Sequence, residues 1–471
     1  MGDRALRWMP PVLVCVLFGW VAARAARPIA DPDDWWHLRL GNDLIAQHSL
    51  SAPPHWSVFA TVSWVPTEPL PEVVAAYVER WAGLPGLAVL YAVVGLLVVL
   101  AVYVTSRLEA GPLPAAVATI LAVLAASASL TSRPQLVSFV LLAVVLQAWL
   151  RTEHDHRARW WLVPLLWCWS LCHGFWLIGA AYGLLFVVGF AVAGQMPRPV
   201  LLRQAGVAVA SVLVVALNPL GLGILEAPLA VNDTAGYIQE WARTDLTSPA
   251  ALGAIAMVLA TAATWVVTRR GVTWARLLVL LSAVFWTWYA GRTVAVAGVV
   301  MAPLVAAALE TLIRTGQPDA RVAPSTGMAR REVTLLVGAA LVAAVVVAVL
   351  APRTSDRPGD VPVALDPALD RLPPGTRVFN AYELGGWIAW RHPDLEQYID
   401  GLITPYSTQH AEDFHRAQIQ APGWYRVVVD SRAPVALLAA HSALAAGLEG
   451  KGWTPAGEDA GYVLLRAPGS P

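Results

Sequence analysis

Apolar and polar positions along this chain fall into long blocks rather than a fine alternation. Runs of roughly 20 apolar residues, enough to cross the hydrocarbon core of a bilayer, recur through the first three quarters of the sequence. They predict about eleven spanning helices, at 8–27, 84–106, 112–130, 136–150, 160–173, 174–194, 199–217, 249–268, 273–290, 292–313 and 333–351. From residue 352 the pattern changes. Strand-like runs at 376–380, 396–400, 425–431 and 461–467 alternate with helix-like runs at 382–391, 405–419 and 434–450. That alternation predicts a small α/β domain at 352–471, following a transmembrane domain at 1–351 that includes a polar loop at 28–82.

Composition agrees with this division. The 471 residues are 57% hydrophobic and only 14% charged, with a mean hydropathy of +0.57. A soluble domain carries about 25% charged residues. The chain is therefore read as an all-α polytopic membrane protein with an α/β domain at its C-terminal end. Its net charge of zero gives no reason to expect a nucleic-acid partner. Cys15, Cys168 and Cys172 all fall in apolar runs, which supports neither a disulfide framework nor a metal cluster. The first run follows Arg4 and Arg7 as a signal peptide would, but VAARAARP places arginines where a cleavage site wants small residues. It is read as a retained span.

Arginines mark every second connection: Arg107; Arg151, Arg157 and Arg159; Arg198 and Arg203; Arg269, Arg270 and Arg276; Arg314, Arg321, Arg330 and Arg331. The positive-inside rule makes these cytoplasmic together with the N-terminus, and the odd number of spans then sends 352–471 outside. The remaining polar stretches go to the outer face: the loop 28–82, TSRPQ at 131–135, CHGFW at 172–176, NPLG at 218–221, IQEWARTD at 238–245 and AGRT at 290–293. The spans themselves are almost free of ionisable side chains. Ion-coupled transport needs titratable groups near the midplane, so this pattern argues against a transporter.

The densest candidate chemistry is in IADPDDWWHLRLGND, residues 29–43. Pro32 biases Asp31 toward an extended backbone, so Asp31 and Asp33 can project to one side. Asp34 stands where a helix N-cap belongs. The helix that follows carries Trp35, Trp36 and His37 at its head and is expected to lie in the membrane interface, tryptophans at headgroup depth. Glu68 adds a carboxylate, and Trp56, Trp64 and Trp81 offer flat faces for stacking on sugars. Arg133, His173, Arg243 and Arg292 lie at outer span ends, where guanidinium groups match phosphate oxygens. Plainer readings stand beside these: a solvated loop that starts an interfacial helix, and arginines that anchor headgroups. Gly385, Gly386, Asp400 and Gly401 in the tail read first as turn and packing residues.

The strings DPDDWWHLRLG, WSVFAT, SWVPTE, SRPQ, HG, NPLG and VFNAYELGGWIAW…YIDG resemble bacterial membrane proteins related to the GT-C superfamily. These are integral-membrane glycosyltransferases that use polyprenyl-phosphate sugars. The resemblance covers nearly the whole chain, and PTEPL at 66–70 departs from it around Glu68. It implies a lipid-linked sugar donor, a glycan, lipid or protein acceptor, and a place in the cytoplasmic membrane. Asp33 would be the catalytic base with Asp31 as its partner. Asp34, His37, Glu68, Arg133, His173, Arg292, Trp35 and Trp36 would bind substrate. No cofactor is required of a monophosphate leaving group, although Asp31 and Asp33 are spaced to hold Mg²⁺ or Mn²⁺. A lipid-linked glycan flippase and a non-catalytic scaffold displaying the tail are the competing readings. The first needs a polar path through the spans, and the second makes the loop carboxylates dispensable.

Overall fold

The computed structural model describes residues 3–50, 56–62, 64–194, 196–225, 242–314 and 328–469. Its long helices, in chain order, are α1 Asp3–Ala25, α2 Pro32–Gln47, α3 Pro69–Ser106, α4 Pro112–Ala126, α5 Gln135–Asp155, α6 Leu162–Ser170, α7 Trp176–Ala193, α8 Arg198–Leu213, α9 Pro249–Thr268, α10 Trp274–Tyr289, α11 Val294–Arg314 and α12 Arg330–Thr354. The chain forms two compact units: 3–27, 88–224 and 242–351 in one, 28–87, 225 and 352–469 in the other. Helix α3 belongs to both and is broken at Gly83, whose φ of 62° and ψ of −163° suit glycine alone.

The first unit is the membrane bundle. Among the described residues, nine helices are long and apolar enough to span, and α10 adds an apolar helix of 16 residues. Helix α11 is its centre. Every residue from Val294 to Val305 is buried, and most are valine, alanine or glycine. Small side chains let membrane helices approach closely, and Gly298 lies against Ala122 and Ala125 of α4 with no room for a Cβ.

The segment 160–173 departs from expectation. Its helix, α6, has only nine residues, too few to span. Two hydrogen bonds place it: Gln204 Nε2 donates to the His156 carbonyl (2.9 Å) and Asn218 Nδ2 to Ser170 Oγ (3.3 Å). Residues 156–170 thus run alongside 204–218, about 20 Å of rise, as an irregular stretch followed by the short helix.

The charged residues sort to two ends. At one, Arg107 pairs with Glu332 (2.7 Å), Arg276 with Glu109 (2.8 Å) and Glu153 (3.0 Å), and Glu310 accepts from the Gly111 amide (3.0 Å) that opens α4. At the other lie Arg133, His173, Arg243 and Arg292. Helix α5 measures the separation: Gln135 at its start meets Arg292, and Glu153 near its finish meets Arg276.

The second unit is built on a five-stranded sheet in the order β2-β1-β3-β5-β4, with β1 Arg377–Asn380, β2 Glu396–Gln397, β3 Val435–Ala439, β4 Thr454–Asp459 and β5 Tyr462–Arg466. Strands β2, β1 and β3 are parallel, while β5 and β4 return antiparallel. Two sequence assignments reverse. YRVVVDS is a helix, Trp424–Ser431, despite its valines, because Val428 and Ser431 turn inward at helical spacing. PVALLAA, read as helix, begins with the central strand β3, and only Ala443–Glu449 beyond it is helical. A short apolar run has no periodicity to separate the two states.

The loop 28–82, which the sequence groups with the spans, packs on the tail. Gly359 N donates to the Ile29 carbonyl (2.7 Å), Ser57 Oγ to Gln397 O (2.6 Å) and Arg39 Nη1 to Ala389 O (2.8 Å).

Candidate functional site

The acidic stretch forms the start of α2, three residues earlier than the sequence reading placed it. Asp31, not Asp34, is the N-cap: its backbone is extended (φ −72°, ψ 122°) and its Oδ1 accepts from the Asp33 amide at 3.2 Å. Pro32 accounts for both facts, since it holds the residue before it extended and fits the first helical position. Asp34 is thereby carried into the helix and buried, with 1% of its surface exposed. Trp35 and Trp36 are packed inside the protein rather than laid open to a lipid surface. Trp35 is fully buried with its ring 4.9 Å from that of Trp387 and 5.2 Å from that of Trp390, and Trp36 is 8% exposed. Both are core residues of the second unit. Trp56 donates to Asp43 (2.7 Å), while Trp81 is 89% exposed and keeps an open face.

Asp31 and Asp33 stay half-buried, at the surface of this helix start. The Asp33 carboxylate lies against the backbone of Gly401, where a Cβ would come within 2.5 Å of its Oδ1. The tail residues singled out in the sequence, Asp400 and Gly401, therefore support the loop carboxylate. Asp400 is buried and accepts from Gln397 Nε2 (3.0 Å), the Leu402 amide (3.0 Å) and the Tyr406 hydroxyl (2.7 Å). Burial nonetheless holds its carboxyl above the usual carboxylate range. Asn380 ties the same turn down, donating to Ile399 O (2.8 Å) and accepting from Tyr398 N (2.8 Å). A fixed turn fixes Gly401, and with it the seat of Asp33.

One turn beyond Asp33, His37 enters a cluster that the sequence reading only half contained. Its Nδ1 lies 2.9 Å from Glu72 Oε1 and its Nε2 3.7 Å from Glu68 Oε2. Glu68 and Glu72 are one turn apart at the start of α3, where the Glu72 amide donates to the Glu68 carbonyl. Gly41 makes the meeting possible. A Cβ there would stand 2.1 Å from the Glu72 carbonyl oxygen, so only glycine lets α2 and α3 cross this closely. Glu72 is the residue missed from sequence. Two signals pointed to it: the four-residue spacing of Glu68 and Glu72, and a glycine four residues after His37.

In the first unit, the cationic end carries four of the remaining sequence-predicted residues. Arg292 Nη2 donates to Gln135 Oε1 (3.2 Å), and its guanidinium lies 5.5 Å from the Phe175 ring centre. His173 is buried, and its Nδ1 accepts from the Phe175 amide (3.1 Å), which leaves the proton on Nε2. Burial and the neighbouring Arg292 hold its pKa well below the usual histidine range, so it is a neutral donor. Arg133 stands two residues before Gln135 at the head of α5 and is half-buried. Arg243 stacks over Trp288 at 5.2 Å. Residues 238–241 of the adjoining sequence motif lie outside the described residues.

No family model matches the chain, and no curated protein sequence does. Solved structures do match. The archaeal oligosaccharyltransferase AglB from Archaeoglobus fulgidus, in complex with an inhibitory peptide and a dolichol-phosphate, superposes with a TM-score of 0.56 at 13% identity, over 91% of this chain and 69% of that one. ArnT from Cupriavidus metallidurans bound to undecaprenyl phosphate gives 0.53 at 14% identity, over 100% and 99% of the two chains. The Archaeoglobus enzyme in complex with zinc and sulfate gives 0.53 at 15% identity, over 90% and 67%. At these identities the likeness is one of fold. The chain is a multi-pass membrane protein, and it shares its fold with these oligosaccharyltransferase and ArnT structures.

Proposed function

We propose that this protein transfers a sugar from a polyprenyl-phosphate donor to an acceptor on the outer face of the cytoplasmic membrane. The observation that carries the reading is the half-buried carboxylate of Asp33, seated on Gly401 at the start of α2, in a fold shared with enzymes whose structures hold dolichol-phosphate or undecaprenyl phosphate. Asp33 takes the proton from the acceptor hydroxyl, whose oxygen attacks the anomeric carbon as the bond to the lipid phosphate breaks. The departing phosphate gains negative charge, and Arg133 and Arg292 are assigned to stabilise it, with His173 as a neutral hydrogen-bond donor. Asp31 orders the helix start that presents Asp33. Gln397, Tyr406 and Asn380 act one step further out, by holding the turn on which Asp33 rests.

The reading is tested by incubating the purified protein in lipid nanodiscs with radiolabelled undecaprenyl-phosphate sugars and an acceptor extract from the membrane envelope. Sugar transfer that requires the protein supports it. Exchange of lipid-linked glycan across the bilayer without transfer would replace it with the flippase reading.

The orientation makes a separate prediction. The arginine-bearing end of the bundle, with Arg107 and Arg276, is assigned to the cytoplasm, and the Arg292 end to the outside. Reporter fusions after Arg157 and after Arg353 should therefore report opposite sides, the second outside. The same side for both would break the assignment.

A further inference from the structure

We propose that the first half of α3, residues 69–82, rests on the bilayer surface through the side chains of Leu70, Val74, Tyr77 and Trp81. The lipid contact stands or falls independently of the transferase reading, and only its consequence for Asp33 rests on that reading.

The four residues follow one another at steps of four, three and four. On a helix turning about 100° per residue they share one stripe, about 60° wide. All four are open: Leu70 is 42% exposed, Val74 41%, Tyr77 57% and Trp81 89%. The opposite stripe is closed, with Glu72, Ala75 and Ala76 at most 5% exposed. A helix on a water-facing surface shows the reverse order, polar side chains out and apolar ones in. Single exposed apolar residues need no explanation, but a continuous row of them does.

Chain length says what lies against the stripe. Helix α3 has 38 residues, a rise of about 57 Å against a hydrocarbon core of about 30 Å. Residues 84–106 alone rise about 34 Å, which is enough to span. Residues 69–82 are therefore left over, and the break at Gly83 releases them from the direction of the span. A segment joined directly to a span, bent off it and apolar along one side suits the plane of the interface. Its aromatic pair, Tyr77 and Trp81, falls at the end next to the span, and such residues are enriched at the membrane–water boundary. A protein partner is the poorer occupant. One stripe of four partly exposed side chains falls short of the about 800 Å² per partner that a stable interface buries.

The closed side of this segment is where α2 crosses. Gly41 packs on the Glu72 carbonyl and on Ala76, and Arg80 Nε, on the flank, donates to Asn42 Oδ1 (2.5 Å). The level of α2, and of Asp33 at its head, is then set by how the stripe rests on lipid. Trp35 and Trp36, which the sequence reads as the interfacial pair, are core residues, and Tyr77 and Trp81 take that place.

The test installs an environment-sensitive fluorescent amino acid at position 77 or 81 of the full chain, in lipid nanodiscs carrying a nitroxide either high or low on the acyl chain. At both positions the shallow nitroxide should quench about 2-fold or more better than the deep one. A label in place of Val93, within the span, should show the opposite order. Tyr77, Trp81 and Val93 are all exposed, so the labels should be accepted without loss of fold, with thermal unfolding as the check. Leu70→Glu combined with Val74→Glu should cut the shallow quenching at position 81 by about half or more. Quenching at 77 and 81 by aqueous iodide, with neither nitroxide effective, would overturn the proposal and leave a solvated stripe. So would shielding from iodide and nitroxide alike, the mark of a protein partner or a second copy, or shallow quenching unchanged by the two glutamates.

Discussion

Asp33→Asn should lower sugar transfer by about 10²-fold or more at unchanged protein abundance. The substitution keeps the size of the side chain and its fit on Gly401, and removes only the ability to accept a proton. A hundredfold loss corresponds to about 2.7 kcal/mol of barrier, within what a positioned general base supplies. The neighbours serve as internal controls. Asp31 caps α2, and asparagine caps a helix about as well as aspartate, so Asp31→Asn should be mild in both stability and turnover. Asp34 is buried, so Asp34→Asn should register in thermal stability before it registers in rate. Initial rates under matched expression, beside unfolding curves, give the ordering. Equal and small losses at all three positions would reduce the stretch to a helix start with solvated acids.

Arg292→Gln should weaken the apparent affinity for the lipid-linked donor by about 10- to 100-fold, the worth of one charge-assisted hydrogen bond to phosphate. The guanidinium is only half-buried, held by Gln135 and lying over Phe175, so glutamine should be accommodated without loss of fold. Arg133→Gln should act in the same direction. Donor saturation curves separate this from a general defect: KM rises while maximal rate changes less. An unchanged KM in both variants would return the two arginines to headgroup anchoring.

Much of this arrangement was legible in the residues. Block length and the arginine rhythm gave the bundle and its two ends, because bilayer thickness and membrane potential leave few alternatives. The DPDD motif pointed to the head of α2. Its register was lost by three residues, since any of three aspartates can cap and only the placement of Pro32 at the first helical position decides among them. Trp35 and Trp36 looked interfacial because amphipathic aromatics resemble core aromatics in sequence. Their burial depends on Trp387 and Trp390, some 350 residues away. The tail's reversed elements share a cause: short apolar segments take their state from the sheet they join. His37 and Glu68 were each visible, but their union with Glu72 is made by the close crossing of α2 and α3 at Gly41, at which the sequence hints only through the spacing of the two glutamates and the glycine after His37.

The tail sheet has one more consequence, for how the protein keeps company. Its margins are poor templates for a further strand. At one side β2 offers only two residues. At the other, β4 carries Pro455, which has no amide to donate, and an irregularity between Pro455 and Gly457. A polypeptide seeking to join by backbone pairing finds no regular run on either border. Whatever docks on this domain must be recognised by side chains, and crowded copies should resist zipping together into cross-strand aggregates.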